Sequence, residues 1–115
     1  MNDPTQGLLL RIYIGESDRW EGKSLHQAVV EEAKRQGLAG ATVLQGIMGY
    51  GAHSRVHMAR LVDISPDLPI VVELVDEEAK IQAFLPTVQS MVREGLVTLE
   101  RVSILLYRHR DSDGP

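Results

Sequence analysis

Leu68-Pro-Ile-Val-Val-Glu-Leu-Val75 is the stretch on which the fold turns. Ile70, Val71, Val72 and Val75 are β-branched, and branching at Cβ suits a pleated, half-buried backbone. The run is too short for a transmembrane helix and too rich in β-branched residues for an ordinary amphipathic one. It predicts a strand, phased in one of two ways. Either Ile70, Val72 and Leu74 fill the core, leaving Val71, Glu73 and Val75 on the other face, or the sets exchange.

Upstream, Ser65 to Asp67 predicts a turn, Ala59 to Ile64 a short strand arm, and Tyr50 to Met58 a polar connection. Ala41 to Met48 predicts a strand whose far end is punctuated by Gly46, Gly49 and Gly51. Downstream, Asp76 is placed to cap a helix, with Glu77 and Glu78 in a first turn that favours negative charge. Ala79, Ile81, Phe84, Val88, Met91 and Val92 give that helix an apolar stripe to Arg93. Pro86 falls inside it; an interior proline costs about 3 kcal/mol, so a bend or two helical pieces are expected. Gly95 ends the segment, Val97 to Tyr107 is the last strand region, and Asp111 to Pro115 is a loose tail.

At the other end of the chain, Leu8, Leu10, Ile12 and Ile14 alternate with Leu9, Arg11 and Tyr13, a strand with one strongly apolar face. Gly15 to Lys23 follows as a charged loop. Ser24 is expected to cap the first helix, with Gln27 completing a capping box. Leu25, Ala28, Val29 and Ala33 recur at helical spacing, and Gly37 stops the helix.

The resulting order, β-α-β-β-α-β, predicts an α+β fold: a ferredoxin-like antiparallel sheet with both helices on one face. The second face is assigned Leu9, Arg11, Tyr13, Val43, Gln45, Ile47, Leu105 and Tyr107, with one of the two sets from the third strand. It is apolar enough to favour subunit association over a half-exposed sheet. If Ile70, Val72 and Leu74 are core, Arg11 and Glu73 meet across the central ladder on that face; otherwise each is solvated or pairs elsewhere.

The chain of 115 residues fits one domain, 1–115, with its core at about 7–107 and flexible ends at 1–6 and 108–115. Apolar residues make up 43%, enough for one core, and the net charge of −4 argues against general nucleic-acid binding. There is no cysteine, which removes thiolate chemistry and Cys-ligated zinc. Met1 to Gly7 lacks a signal-peptide core and no apolar run reaches transmembrane length, so a cytoplasmic location without membrane insertion is expected.

Three constellations bear on chemistry. Gly49, Tyr50 and Gly51, with Gly46, either let backbone N–H groups approach a phosphate or form a bulge and turn; no lysine follows to make a P-loop. His53 and His57, with Ser54 and Arg55 between, lie four apart on what is expected to be a loop, without a third ligand, so solvated histidines are expected rather than a metal site. Arg19, Trp20 and Lys23 either hold an anion or planar ring, or pack Trp20 over the helix start with the charges solvated. No nucleophile elbow is present, so no catalytic residue is assigned.

Gly46-Ile-Met-Gly-Tyr-Gly-Ala-His-Ser-Arg55, followed by the Leu68–Val75 strand, resembles the pattern of the PII signalling proteins. Leu10-Arg-Ile-Tyr-Ile-Gly-Glu16, Gly37-Leu-Ala-Gly-Ala-Thr-Val43 and Glu94-Gly-Leu-Val-Thr-Leu99 resemble more specifically the PII-like proteins of domain-of-unknown-function family 190, over about Gly7 to Tyr107. The resemblance implies a homotrimer with clefts between subunits, bounded by the loop after strand two and the start of helix two. It implies a regulatory module sensing a small anionic metabolite such as an adenine nucleotide. Such a module presents a loop to a partner protein, for example a membrane transporter or channel. The ligand-binding residues it points to are Gly49, Tyr50, Gly51, His53, Ser54, Arg55 and His57. An anion is expected to depend on Arg55, with His53 nearby, more than on Arg93. The sequence departs from true PII proteins in a shorter loop without their modified tyrosine and in its acidic Asp76-Glu77-Glu78. Arg101, Arg108 and Arg110 are the only phosphate partners near its C-terminal strand. The alternative is a small enzyme using His53 or His57 as general base at a subunit cleft.

Overall fold

The structure is a computed structural model that describes residues 4–51 and 67–108. Its elements are β1 (Thr5–Gly15), β2 (Arg19–Trp20), β3 (Lys23–Ser24), α1 (Leu25–Arg35), β4 (Thr42–Gln45), β5 (Pro69–Glu77), α2 (Glu78–Met91) and β6 (Leu96–Ile104). The main sheet has four strands in the order β4-β5-β1-β6, and every pairing is antiparallel. This is the expected split βαβ arrangement with both helices on one face. β1 already contains Thr5 and Gln6, which the sequence reading left in the N-terminal end.

Alternation sets the core. Leu8, Leu10, Ile12 and Ile14 of β1 and Ile70, Val72 and Leu74 of β5 are buried beneath Leu25, Ala28, Val29 and Ala33 of α1 and Ile81, Phe84, Val88 and Met91 of α2. Burying a side chain the size of Phe84 contributes roughly 1.5–3 kcal/mol. The first of the two phasings of β5 is therefore the one the molecule adopts. α1 ends as expected, with the Leu38 and Gly37 N–H groups donating to the Ala33 and Lys34 carbonyls and Leu38 folding onto the core.

Several local expectations are corrected. Ser24 is the N-cap of α1 but its side chain makes no capping bond; Gln27 donates to Glu31 instead, so no capping box forms. Asp76 does not cap α2. β5 runs two residues further than its apolar run, and the buried Asp76 carboxylate accepts from the Ala39 and Glu77 N–H groups, tying the approach to β4 onto the sheet. Only Glu78 lies in the first turn of α2. α2 continues through Pro86 as one helix rather than two pieces. Pro86 and Gln82, whose carbonyl loses its partner, both lie on the exposed side, where water can serve. Ala79 is exposed, outside the stripe it was assigned to.

The charged loop from Gly15 to Lys23 contains a hairpin, β2 and β3, turning at Glu21 and Gly22 with φ of 46° and 87°. Two consecutive left-handed residues match the right-handed twist of the strands they join.

β4 is shorter than the predicted 41–48 strand, and its face is reversed. Val43 lies opposite Val72 and Gln45 opposite Ile70, so both point to the helix side; Thr42 and Leu44 take the other face. Leu105 and Tyr107 lie beyond β6, and the Tyr107 hydroxyl approaches the Ala39 carbonyl at 3.4 Å. Ile47, also assigned to the second face, lies past β4 and is 95% exposed. The 59–64 arm and most of the 65–67 turn lie outside the described residues.

Candidate functional site

The sheet face away from the helices is built from Leu9, Arg11 and Tyr13 of β1, Val71, Glu73 and Val75 of β5, Leu44 of β4, and Leu96, Thr98, Glu100, Val102 and Ile104 of β6. Register puts Arg11 directly opposite Glu73 on one side and Thr98 on the other. The guanidinium donates from Nε to Glu73 at 2.9 Å and from one terminal nitrogen to Glu100 at 3.0 Å. The expected pair is present, but Arg11 divides its donors between two carboxylates instead of meeting one bidentately. The hydrogen bond to Glu73 raises the Arg11 pKa above its ordinary value; partial desolvation opposes this, and the charges of Glu73 and Glu100 reinforce it. Around this network Leu44, Val75 and Leu96 remain 47%, 41% and 57% exposed.

At one end of this face, β1 finishes while β5 and β6 begin. A cleft of about 370 Å³ opens there. Tyr13, Ile14 and Gly15 form one wall, Pro69 the next, Glu94, Gly95 and Leu96 a third, and Gly49, Tyr50 and Gly51 the fourth, with Asp18 and Asp67 beside them. Close contacts hold this shape. The Gly46 N–H donates to the Pro69 carbonyl at 2.7 Å, and a Cβ on Gly49 would sit 2.9 Å from the Pro69 ring. Gly95 has φ 150°, and a Cβ there would lie 2.6 Å from the Tyr13 carbonyl oxygen, so this approach to β6 needs glycine. Asp18 accepts from the Gly15 N–H and Asp67 from the Ser17 N–H, each at 2.9 Å.

Three of the sequence-derived site residues, Gly49, Tyr50 and Gly51, are thus brought together on the cleft, with Tyr50 82% exposed. His53, Ser54, Arg55 and His57 lie outside the described residues. The start of α2 lies at the opposite end of the sheet, next to the Gly7–Glu77 pair. What borders the cleft is the connection after α2, and the sequence reading missed Glu94 and Gly95 as wall residues. Their signal was a glycine directly before a strand, read only as a stop. Among the described residues, the wall carries three carboxylates, Asp18, Asp67 and Glu94, and neither lysine nor arginine. This wall therefore offers a phosphate group no cationic side chain, only backbone N–H groups such as those of the 49–51 stretch.

A second cleft, of about 660 Å³, lies between the β2–β3 hairpin and the end of α2, lined by Asp18, Arg19, Trp20, Glu21, Leu25, Met91, Arg93 and Glu94. Trp20 packs partly on the core, as the packing alternative held. Lys23 is not part of this cleft; its ammonium pairs with Glu31 at 2.6 Å. No group of three or more potential metal ligands exists among the described residues, and none of their helices is long and apolar enough to cross a membrane.

Comparison with known proteins agrees with this architecture. The family DUF190, described as Uncharacterized ACR, COG1993, matches residues 7–104. A UPF0166 protein of Aquifex aeolicus is 41% identical over 97 residues, covering 84% of this chain and 91% of its own. A UPF0166 protein of Methanocaldococcus jannaschii is 35% identical over 92 residues, covering 79% and 84%. Among solved structures, a putative PII-like signaling protein from Thermus thermophilus superposes with a TM-score of 0.61 at 23% identity, covering 90% of this chain and 92% of that one. CPII from Thiomonas intermedia, bound to ADP and bicarbonate, superposes with a TM-score of 0.53 at 16% identity, covering 86% and 88%. The fold is that of the PII-like signalling proteins, and by sequence the chain belongs to the DUF190 (UPF0166) family.

Proposed function

We propose that this protein is a PII-like regulatory binding module rather than an enzyme, working as a cytoplasmic homotrimer of single-domain chains. One observation carries the reading: Tyr13 and Leu96 belong both to the uncovered sheet face and to the cleft at its end. A second copy covering that face would close the cleft as a boundary between subunits. Covering it would also remove Leu44, Val75 and Leu96 from water, at roughly 25 cal/mol per Å² of apolar surface. The ligand in this reading is a small anionic metabolite. An adenine nucleotide is the leading class because CPII, a structural neighbour, was solved with ADP. Since the described wall carries no lysine or arginine, this reading assigns the anion's cationic partner to Arg55 of the chain or to the neighbouring subunit. Occupancy then controls how the stretch after Gly51 is offered to a partner protein such as a membrane transporter or channel.

Light scattering at micromolar concentration should report a trimer; a stable monomer overturns the assembly. Titration calorimetry with AMP, ADP and ATP should give saturable heat, and charge reversal at Arg55 should weaken it more than reversal at Arg93. Silence across the panel removes the nucleotide. Turnover of whichever nucleotide binds, abolished by His53→Ala or His57→Ala, would replace the binding module with the enzyme.

A further inference from the structure

The second cleft has a composition the regulatory reading does not use. Its floor is apolar: Trp20, half-buried against the core, with the buried Leu25 and Met91. Five charged residues surround that floor, and most are engaged. Asp18 accepts from the Gly15 N–H, Arg19 donates to the Gly22 carbonyl at 2.9 Å, and Glu94 has interactions of its own. Two are not. Among the described residues, neither the Arg93 guanidinium nor the Glu21 carboxylate is held by a hydrogen bond or ion pair, although both face the same cleft. Glu21 is also held in place by its backbone, at φ 46° in the tight turn of the hairpin. The cleft thus offers one cation, one anion and an aromatic apolar floor.

We propose that this cleft is a binding site for a small zwitterion with an apolar body, an apolar α-amino acid being the simplest example. Its carboxylate would meet Arg93, its ammonium Glu21, and its side chain the Trp20 indole between Leu25 and Met91. A simple anion would gain at Arg93 but face Glu21; a simple cation would meet the reverse. Only a ligand carrying both charges satisfies both groups. The assignment uses neither trimer formation nor the nucleotide reading, although Asp18 and Glu94 line both clefts.

Trp20 is the only tryptophan in the chain, so its emission reports on the site directly. L-phenylalanine, 3-phenylpropanoate and 2-phenylethylamine share a ring and differ in charge. Excited selectively, Trp20 should show a saturable change with L-phenylalanine, and each singly charged analogue should bind about ten-fold more weakly, the loss expected for one charge-assisted contact. Arg93→Gln and Glu21→Gln should each weaken L-phenylalanine binding by a similar factor, while Arg35→Gln, on the far end of α1, should leave it unchanged. Far-UV circular dichroism identical to that of the unaltered chain shows that the variants fold. Absence of a saturable change up to about 10 mM L-phenylalanine, well beyond any useful affinity, overturns the site. Equal binding of either analogue, or full binding by Arg93→Gln, overturns the zwitterion assignment.

Discussion

The two faces of the sheet are made from alternate residues of the same strands, yet they are finished differently. On the helix side, Leu10, Ile12, Val72 and Leu74 are almost completely closed off and carry no charge. On the other side, Leu9, Tyr13 and Val71 are only half-buried and surround Arg11, Glu73 and Glu100, a set with one more negative charge than positive. The first face is closed at its centre within one chain, while Val43, Val97 and Leu99 at its two edges, on β4 and β6, remain partly exposed. The second has half-buried and exposed apolar residues across its centre as well, with a partly exposed charged network among them. A face of that kind suits a contact made and specified by another molecule.

Substitutions that truncate each face test the contrast. Phe84→Ala, which empties the middle of the finished side, should cost about 3–5 kcal/mol in denaturant unfolding. Leu9→Ala, on the open side, should cost less than about 1 kcal/mol in dilute protein and more once the chain associates. Equal costs at every concentration would remove the distinction between the faces.

Gly95→Ala acts at the end of the sheet, where both faces meet the cleft. Its added Cβ would press on the Tyr13 carbonyl at a strained φ, and a loss of about 1–3 kcal/mol is expected. Thermal unfolding unchanged by this substitution would show that the β6 approach can relax without strain.

A double-mutant cycle on Arg11→Leu and Glu73→Leu is the finer probe of the open face. With both side chains about one-third exposed, the coupling should be small in dilute protein and should grow with concentration as association dries the pair. A coupling independent of concentration would mean that this face stays wet.

The smallest effect is expected on the outer surface of α1, which belongs to neither face. The Lys23 ammonium, chiefly, with Gln27, holds the Glu31 pKa below the usual carboxylate value; Gln36, chiefly, with Arg35, does the same for Glu32. A carboxylate with a lowered folded-state pKa stabilises above its ordinary value and loses that contribution as pH falls through the lowered one. Replacing both by glutamine should lower the melting temperature slightly at neutral pH, where the contribution is present, and so flatten the fall between about pH 5 and pH 3, the variant and the parent converging at the acid end. An unchanged acid limb would locate the acid sensitivity elsewhere.

The central strands were legible because one face of each is buried: Leu8 to Ile14 and Ile70 to Leu74 alternate cleanly, and their pairing brings Arg11 to Glu73. β4 was not, because an edge strand with exposed residues on both sides has nothing to fix its phase; Ala41 to Met48 mixes polar and apolar residues on either parity. The β2–β3 hairpin escaped notice because strands of two residues show no period, and its one mark was a glycine after Glu21. Asp76 looked like a cap because it follows an apolar run and precedes a helical stripe. Its carboxylate instead serves the Ala39 N–H, a contact across 37 residues of sequence that no local pattern announces. For the site, the glycines at 49 and 51 were a usable signal, whereas the carboxylates facing them came from three separated segments.

The sheet order also bears on how the protein is made. β1 is synthesised first, yet it is the strand flanked on both sides, by β5 and by β6, and its partner at Thr5 is Ile104, near the end of the described chain. This central strand, with one strongly apolar face, therefore emerges from the ribosome long before either neighbour exists, and its last partner arrives only when β6 has been translated. Closure of such distant pairs makes folding slow relative to a helical protein of this size, and it leaves Leu8 to Ile14 exposed in the interval. Nascent-chain handling, more than equilibrium stability, is then where a defect in β6 would first be felt.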